Sequence, residues 1–285
     1  MDKQPKTINC GGKLLDLSSP KVMGILNISP DSFFDGGKYT SEEQWLLQAK
    51  KMVDEGADIL DIGAVSTRPG AQEIDQEEEL ARLIPVVESI AANFPKIIIS
   101  VDTWRAEVAK KSVESGAHII NDISGGLFDK NMAATIGKLQ VPYIMMHTGG
   151  RPDVMQQNIS YENVVLDVMN FFTTQLHTLR QNGIHDIIID PGFGFGKTVD
   201  HNYQLLAKLS SLQLFDLPIL VGVSRKSMIQ KVINTTAEQS LNGSTVVHTI
   251  ALTNGATILR VHDVREAVEA IEIVKKTNVF ASEAL

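Results

Sequence analysis

Four short stretches of this sequence repeat one chemical pattern: Gly56-Ala-Asp-Ile-Leu, Gly116-Ala-His-Ile-Ile, Gly183-Ile-His-Asp-Ile and Gly255-Ala-Thr-Ile-Leu. In each, a glycine able to end a helix in the left-handed conformation is followed within a few residues by an apolar, β-branched run. These are helix-to-strand joints. Parallel strands need a long crossover between them, so joints repeated along a chain imply repeated βα units.

The apolar runs fit that reading. Val22–Leu26, Ile59–Ile62, Ile97–Val101, Ile119–Ile120, Tyr143–Met146, Ile187–Ile189, Ile219–Val221 and Ile258–Val261 are short and apolar on both faces, as strands of a buried parallel sheet are. Helical periodicity fills the intervals 42–55, 77–92, 105–115, 162–181, 201–209, 240–254 and 265–276. The steps from Asn27 to Arg260 average about 33 residues, the size of a βαβ unit. Eight such units with no change of pattern predict a single (β/α)8 TIM barrel, in preference to a doubly wound open sheet. Ahead of the first strand, Gly11-Gly12 between TINC and KLLDL predicts a hairpin that closes the bottom of the barrel. No Pro/Gly/Ser-rich linker divides the 285 residues, so one domain is expected, with its core at about 8–276.

Charge and composition narrow the function. The net charge of −8 argues against broad nucleic-acid binding and against docking on anionic lipid, so any anion site must be a local cluster of cations. The one cysteine, Cys10, permits no internal disulfide. The N-terminus has no signal-peptide core and no apolar run approaches a membrane span. A cytoplasmic protein with small-molecule substrates is expected.

In a barrel of this kind, chemistry sits at the C-terminal ends of the strands. The eight runs lead to Asn27, Asp61, Asp102, Asn121-Asp122, His147, Asp190, Ser224-Arg225-Lys226, and Arg260 with His262. Asp102, Asn121, Asp190 and Lys226 suit a flat nitrogen heterocycle with an N–H edge and a carbonyl. Asn27, Arg68, Arg260 and His262 suit an anionic group such as a diphosphate. Three loops carry further signals. Residues 29–37 (SPDSFFDGG) have hinge glycines, acids and aromatics, as a closing lid does; residues 66–71 (STRPGA) set Arg68 before Pro69; residues 191–198 (PGFGFGKT) are glycine-rich. The last is neither a phosphate-binding P-loop nor a dinucleotide fingerprint, because its glycine spacing fits neither. Its glycines suit close approach to a flat ligand, with Phe193 or Phe195 as an apolar wall. The seven histidines form no H-x-H or H-x-x-x-H pair, so a zinc cage is not expected. A hard cation such as Mg2+, held by Asn27, substrate phosphate and water, fits better.

Taken together, NISPDSFFDGG at 27–37, DIGAVSTRPGA at 61–71, SVDT at 100–103, IINDISGG at 119–126, DPGFGFGK at 190–197, GVSRKS at 222–227 and RVHD at 260–263 resemble the dihydropteroate synthase family, in the family's order and over nearly the whole chain. The resemblance implies condensation of 6-hydroxymethyl-7,8-dihydropterin diphosphate with p-aminobenzoate, in folate biosynthesis, by a Mg2+-assisted sulfonamide target that is usually a homodimer. It assigns Asp102, Asn121, Asp190 and Lys226 to the pterin. It sets Asn27, Thr67, Arg68, Arg260 and His262 around the diphosphate and Mg2+, and Phe33, Pro69, Phe195, Lys226 and Ser227 around p-aminobenzoate. Asp102, Asp190, Lys226 and Arg68 are the implied catalytic groups. Ser29 and the fifth loop, with Thr148-Gly149, depart from the family pattern. A methyltetrahydrofolate:corrinoid methyltransferase, or a catalytically silent pterin-binding paralogue, are the alternatives. Loops 1 and 2 and the SRKS motif favour the synthase.

Overall fold

The computed structural model describes residues 7–28, 41–65, 74–156 and 159–281. The chain opens with the predicted hairpin: β1 (Thr7–Cys10) and β2 (Lys13–Asp16) pair antiparallel across the Gly11-Gly12 turn, with Cys10 opposite Lys13. The next eight strands are β3 (Lys21–Asn27), β4 (Ile59–Gly63), β5 (Ile98–Asp102), β6 (Ile119–Asp122), β7 (Tyr143–Met146), β8 (Ile187–Asp190), β9 (Leu220–Val221) and β10 (Ile258–Val261). They form one parallel sheet in the order β8-β7-β6-β5-β4-β3-β10-β9. A parallel bridge between Ile189 and Ile219 joins its two ends and closes the barrel.

The helices are α1 (Ser41–Asp54), α2 (Gln76–Asn93), α3 (Ala106–Glu114), α4 (Met132–Leu139), α5 (Val164–Gln181), α6 (Val199–Ala207), α7 (Ser227–Ile233), α8 (Leu241–Thr253) and α9 (Val264–Ala281). Two of them, α4 and α7, carry too short an apolar stripe to stand out in the sequence. The last helix runs past the predicted end at Lys276 to Ala281. Local chemistry fixes several starts: Asp75 caps α2 by accepting from the Glu78 amide at 2.8 Å, and Thr198 and His201 form a reciprocal capping box on α6.

All four joint glycines have positive φ: 101° at Gly56, 111° at Gly116, 77° at Gly183 and 99° at Gly255. Each amide donates three residues back, and the following amide donates five residues back (Ala57 to Met52, Ala117 to Ser112, Ile184 to Leu179, Ala256 to Ala251). That bonding defines the Schellman helix stop, so the repeated sequence pattern is a repeated physical device.

Period-two alternation sorts the strand residues. Met23, Ile59, Ile98, Ile119, Ile144, Ile188, Leu220 and Ile258, one from each barrel strand, form an apolar cluster with Ile8, Cys10, Leu15 and Leu17 of the hairpin segment. This is the floor of the barrel, and the hairpin closes it. Burial pushes the Cys10 thiol up to about 12, which keeps it protonated and unreactive in that floor. Two residues further along the strands stand Asp61, Ser100, Asn121, Asp190 and Arg260. Two further again are Asn27, Gly63, Asp102 and His262. The strands thus carry an apolar floor, a polar belt and a polar rim. Their alternate residues pack outward against the helices in the main hydrophobic core.

Candidate active site

The polar belt is tied together by charge-assisted hydrogen bonds. Arg260 reaches from β10 across the barrel, its Nε donating to Asp61 Oδ2 at 2.6 Å and its Nη2 to Asp102 Oδ2 at 2.9 Å. Asp61, fully buried, also accepts from Ser100 Oγ at 2.6 Å and from Asn121 Nδ2 at 3.1 Å. A buried carboxylate needs this many donors to offset its lost hydration. Two acids share one guanidinium, and the balance shows in Asp102. Burial raises its carboxyl to about 7 against the pull of Arg260, with the Asp61 charge adding to the rise.

On the opposite wall, Asp190 accepts from the Gly192 amide at 2.7 Å, and burial raises its pKa against the nearby Lys226. Lys226 lies against the glycine-rich loop. Its Nζ donates to the Phe193 carbonyl and lies 4.5 Å from the centre of the Phe195 ring, a cation–π contact. Burial lowers its amine to about 8, with Asp190 holding it up. Ser227, exposed, begins α7 directly after it. Asn27 is half-buried at the end of β3. Next to it, Gly63 leaves open a space whose Cβ position is 3.5 Å from Asp102 Cβ and 3.7 Å from Asn27 Oδ1. His262 stands exposed at the rim beyond Arg260, its Nδ1 3.1 Å from Ser224 Oγ.

The structure therefore gathers Asn27, Asp102, Asn121, Asp190, Phe195, Lys226, Ser227, Arg260 and His262 at one end of the barrel. Phe33, Thr67, Arg68 and Pro69, with the first and second loops, lie outside the described residues. The two ends inferred from sequence meet at Arg260, which contacts Asp102 of the heterocycle end directly.

Sequence reasoning missed two parts. Asp61 is the hub of the belt, yet a carboxylate at a strand end is read as easily as a cap. Lys197, of the glycine-rich loop, is buried rather than presented to a ligand. Its Nζ lies 2.9 Å from His147 Nδ1 and donates to the carbonyls of Gly192 at 2.9 Å and Phe195 at 3.0 Å. Burial lowers Lys197 to about 7 and His147 to about 3. The neutral imidazole, edge-on to Phe171 at 5.0 Å, accepts at Nδ1. The fifth loop packs directly on the sixth: a Cβ on Gly196 would fall 2.7 Å from Gly149 Cα. Asp122, by contrast, faces outward and accepts from Tyr143 Oη at 2.6 Å.

Among the described residues, no group of three or more His, Cys, Asp or Glu side chains is gathered to hold a metal. Asn27 offers a neutral amide oxygen at the rim. That donor set fits a hard divalent cation whose other ligands are substrate oxygens and water, and does not fit zinc.

Residues 23–262 match the pterin binding enzyme family. The dihydropteroate synthase of Escherichia coli K12 is 47% identical over 268 residues, covering 93% of this chain and 94% of that protein. Among solved structures, Yersinia pestis dihydropteroate synthase with a sulfonamide drug superposes with a TM-score of 0.91 at 44% identity, covering 96% of this chain and 100% of the other. The Xanthomonas albilineans dihydropteroate synthase with 4-aminobenzoic acid gives a TM-score of 0.91 at 38% identity, over 96% and 99% of the two chains.

Proposed function

The chain belongs to the pterin-binding enzymes, among the dihydropteroate synthases of folate biosynthesis, and from that premise we propose how its own residues carry the reaction. The substrates are (7,8-dihydropterin-6-yl)methyl diphosphate and p-aminobenzoate; the products are 7,8-dihydropteroate and diphosphate. The observation that carries the assignment of roles is the network in which Arg260 bridges Asp61 of the belt and Asp102 of the rim, facing Asp190 and Lys226.

Asp102, Asn121 and Asp190 take the N–H edge of the pterin, and Lys226 its carbonyl side. Arg260 sits where the ring ends and the methylene diphosphate begins. His262 and Asn27, further out on the rim, meet the diphosphate together with Thr67 and Arg68. Cations placed there stabilise charge as it develops on the leaving group. The bond from methylene carbon to diphosphate oxygen breaks with its electron pair leaving on the diphosphate. The cation left behind is delocalised into the pterin ring, where Asp102 and Asp190 stabilise it. The p-aminobenzoate nitrogen then forms the new C–N bond and loses a proton to the departing anion or to solvent. An arylamine is already a neutral nucleophile, so no strong general base is required. Phe195, Lys226 and Ser227, with Phe33 and Pro69, border the arylamine slot.

Mg2+ held through Asn27, diphosphate oxygens and water would neutralise leaving-group charge. A homodimer belongs to the same proposal. Val246 and Ile250 on α8 and Ile273 on α9 are exposed apolar side chains on two helices packed together. A cytoplasmic location suits the lone buried Cys10 and the absence, among the described residues, of any helix long and apolar enough to cross a membrane.

The test is direct. Purified protein with pterin diphosphate, p-aminobenzoate and Mg2+ is expected to release diphosphate only when the arylamine is present. Pterin binding without arylamine-dependent release would make the chain a silent paralogue.

A further inference from the structure

Four described non-glycine residues have left-handed φ: Gln140, Asp216, Arg225 and Asn234. Three of them terminate helices, where that conformation is ordinary. Arg225, at φ 56°, does not; it precedes Lys226, the N-cap residue of α7. Glycine or asparagine would hold this turn with less strain. A strained arginine points instead to a use for its side chain.

That side chain forks onto Asp263, with Nε donating to Oδ2 at 2.8 Å and Nη2 to Oδ1 at 2.7 Å. Its Nη1 reaches the carbonyls of Ala237 and Glu238, each at 3.3 Å. The backbone is pinned as well. The Arg225 amide donates to Ser244 Oγ at 2.9 Å, and its carbonyl accepts from Gln230 Nε2 at 2.7 Å. The preceding residue makes a parallel link, because Ser224 Oγ accepts from the His262 amide at 3.2 Å and lies against its imidazole. Ser224–His262 and Arg225–Asp263 are therefore two adjacent rungs between the loops after the last two barrel strands. In barrels of this fold, that corner often forms a phosphate site. Immediately beyond the rungs lies Lys226, the cation of the pterin and arylamine side.

We propose that Arg225 is a positioning residue for the condensation: locked onto Asp263, it holds Lys226 in register with His262, so that the ring and its departing diphosphate are gripped at a fixed separation. A forked guanidinium–carboxylate pair fixes both distance and orientation, which a lysine in the same place does not. The proposal rests on the synthase reading. Arylamine-dependent diphosphate release by the unaltered protein tests that reading alone, and the ratio of variant to wild-type rates tests Arg225.

The variants are R225G, which keeps the left-handed turn and removes the fork, D263N, the double variant and R225K, all assayed below their measured unfolding temperatures. R225G and D263N are each expected to lose kcat on the order of 10²-fold, the cost of misplacing reacting groups by about an ångström. The double variant is expected to be no worse than either single one, as for two residues acting as a unit. Added guanidinium at millimolar concentration restores part of the R225G rate and none of the D263N rate. A folded R225G with wild-type kcat and KM, or losses that multiply in the double variant, would overturn the proposal. Should R225G not fold, R225K decides: its expected kcat is reduced several-fold, and wild-type turnover there would equally overturn it.

Discussion

Asp61 and Arg260, 199 positions apart in sequence, are joined at 2.6 Å in the middle of the barrel. The contact crosses from the second barrel strand to the eighth, and it fixes the guanidinium plane that Asp102 also uses. Asp61→Asn keeps the volume but removes the charge. One cation then faces one acid, and an amide N–H₂ points at groups that are themselves donors. Breaking a buried pair in this way costs about 3–5 kcal/mol. Urea unfolding should show a loss of that order, and calorimetry should show weakened pterin binding, because Asp61 orients the guanidinium that Asp102 also uses.

Asp102 gives a pH signature. Its carboxyl is raised to about 7 in the fold from an ordinary value of 3.8, so the folded state holds the proton more tightly than the unfolded one. The stability this contributes is complete below about pH 4 and is lost as pH rises to about 7. Asp102→Asn cannot titrate. The stability difference, variant minus wild type, should therefore grow in the variant's favour between pH 4 and 7 and flatten above. Denaturant melts at several pH values measure it, and a difference independent of pH would refute the assignment.

Lys226 should set the alkaline limit of activity. Its amine is lowered to about 8 by burial, so its charge is lost as pH rises through that value. The limb of kcat/KM above pH 8 should move well to the alkaline side in Lys226→Arg, whose guanidinium stays protonated. Lys226→Met should lose turnover by a factor on the order of 10² with the fold intact. Rate profiles over pH 6–10 distinguish the three proteins.

Lys197→Met tests the clamp behind the glycine-rich loop. It strips the donor from the Gly192 and Phe195 carbonyls and from His147, each buried or nearly so. An acceptor left unpaired costs roughly 1–3 kcal/mol. Thermal or urea melts should report a loss of several kcal/mol. Pterin affinity should fall with it, since Phe193 and Phe195 also fix Lys226.

Much of this was legible because it repeats. The Gly56, Gly116, Gly183 and Gly255 joints announce helix ends with one residue each, and β-branched runs after them announce strands. Alternation within the strands then forces Asp61, Asn121, Asp190 and Arg260 to the same interior. Two helices escaped. Met132–Leu139 contains Gly137, lacks a side-chain cap and is barely two turns long, while Ser227–Ile233 follows a lysine that caps nothing. Inside the site, the pattern shows which residues face inward but not who pairs with whom. Arg260 looked like a ligand for an anion; only its reach across the barrel shows that it also organises the acids. Lys197 sits in a loop that looks ligand-facing, and its burial depends on His147, 50 residues away.

The N-terminal hairpin acts as a stopper. With Ile8, Cys10, Leu15 and Leu17 plugged beneath the strands, the belt of acids and cations lies at the blind end of a well rather than midway along a tube. The hairpin shuts the lower way in. In the proposed reaction, shielding the carbocation from hydrolysis is then a task for the upper opening, and the hairpin's share in chemical fidelity is the draught it prevents from below.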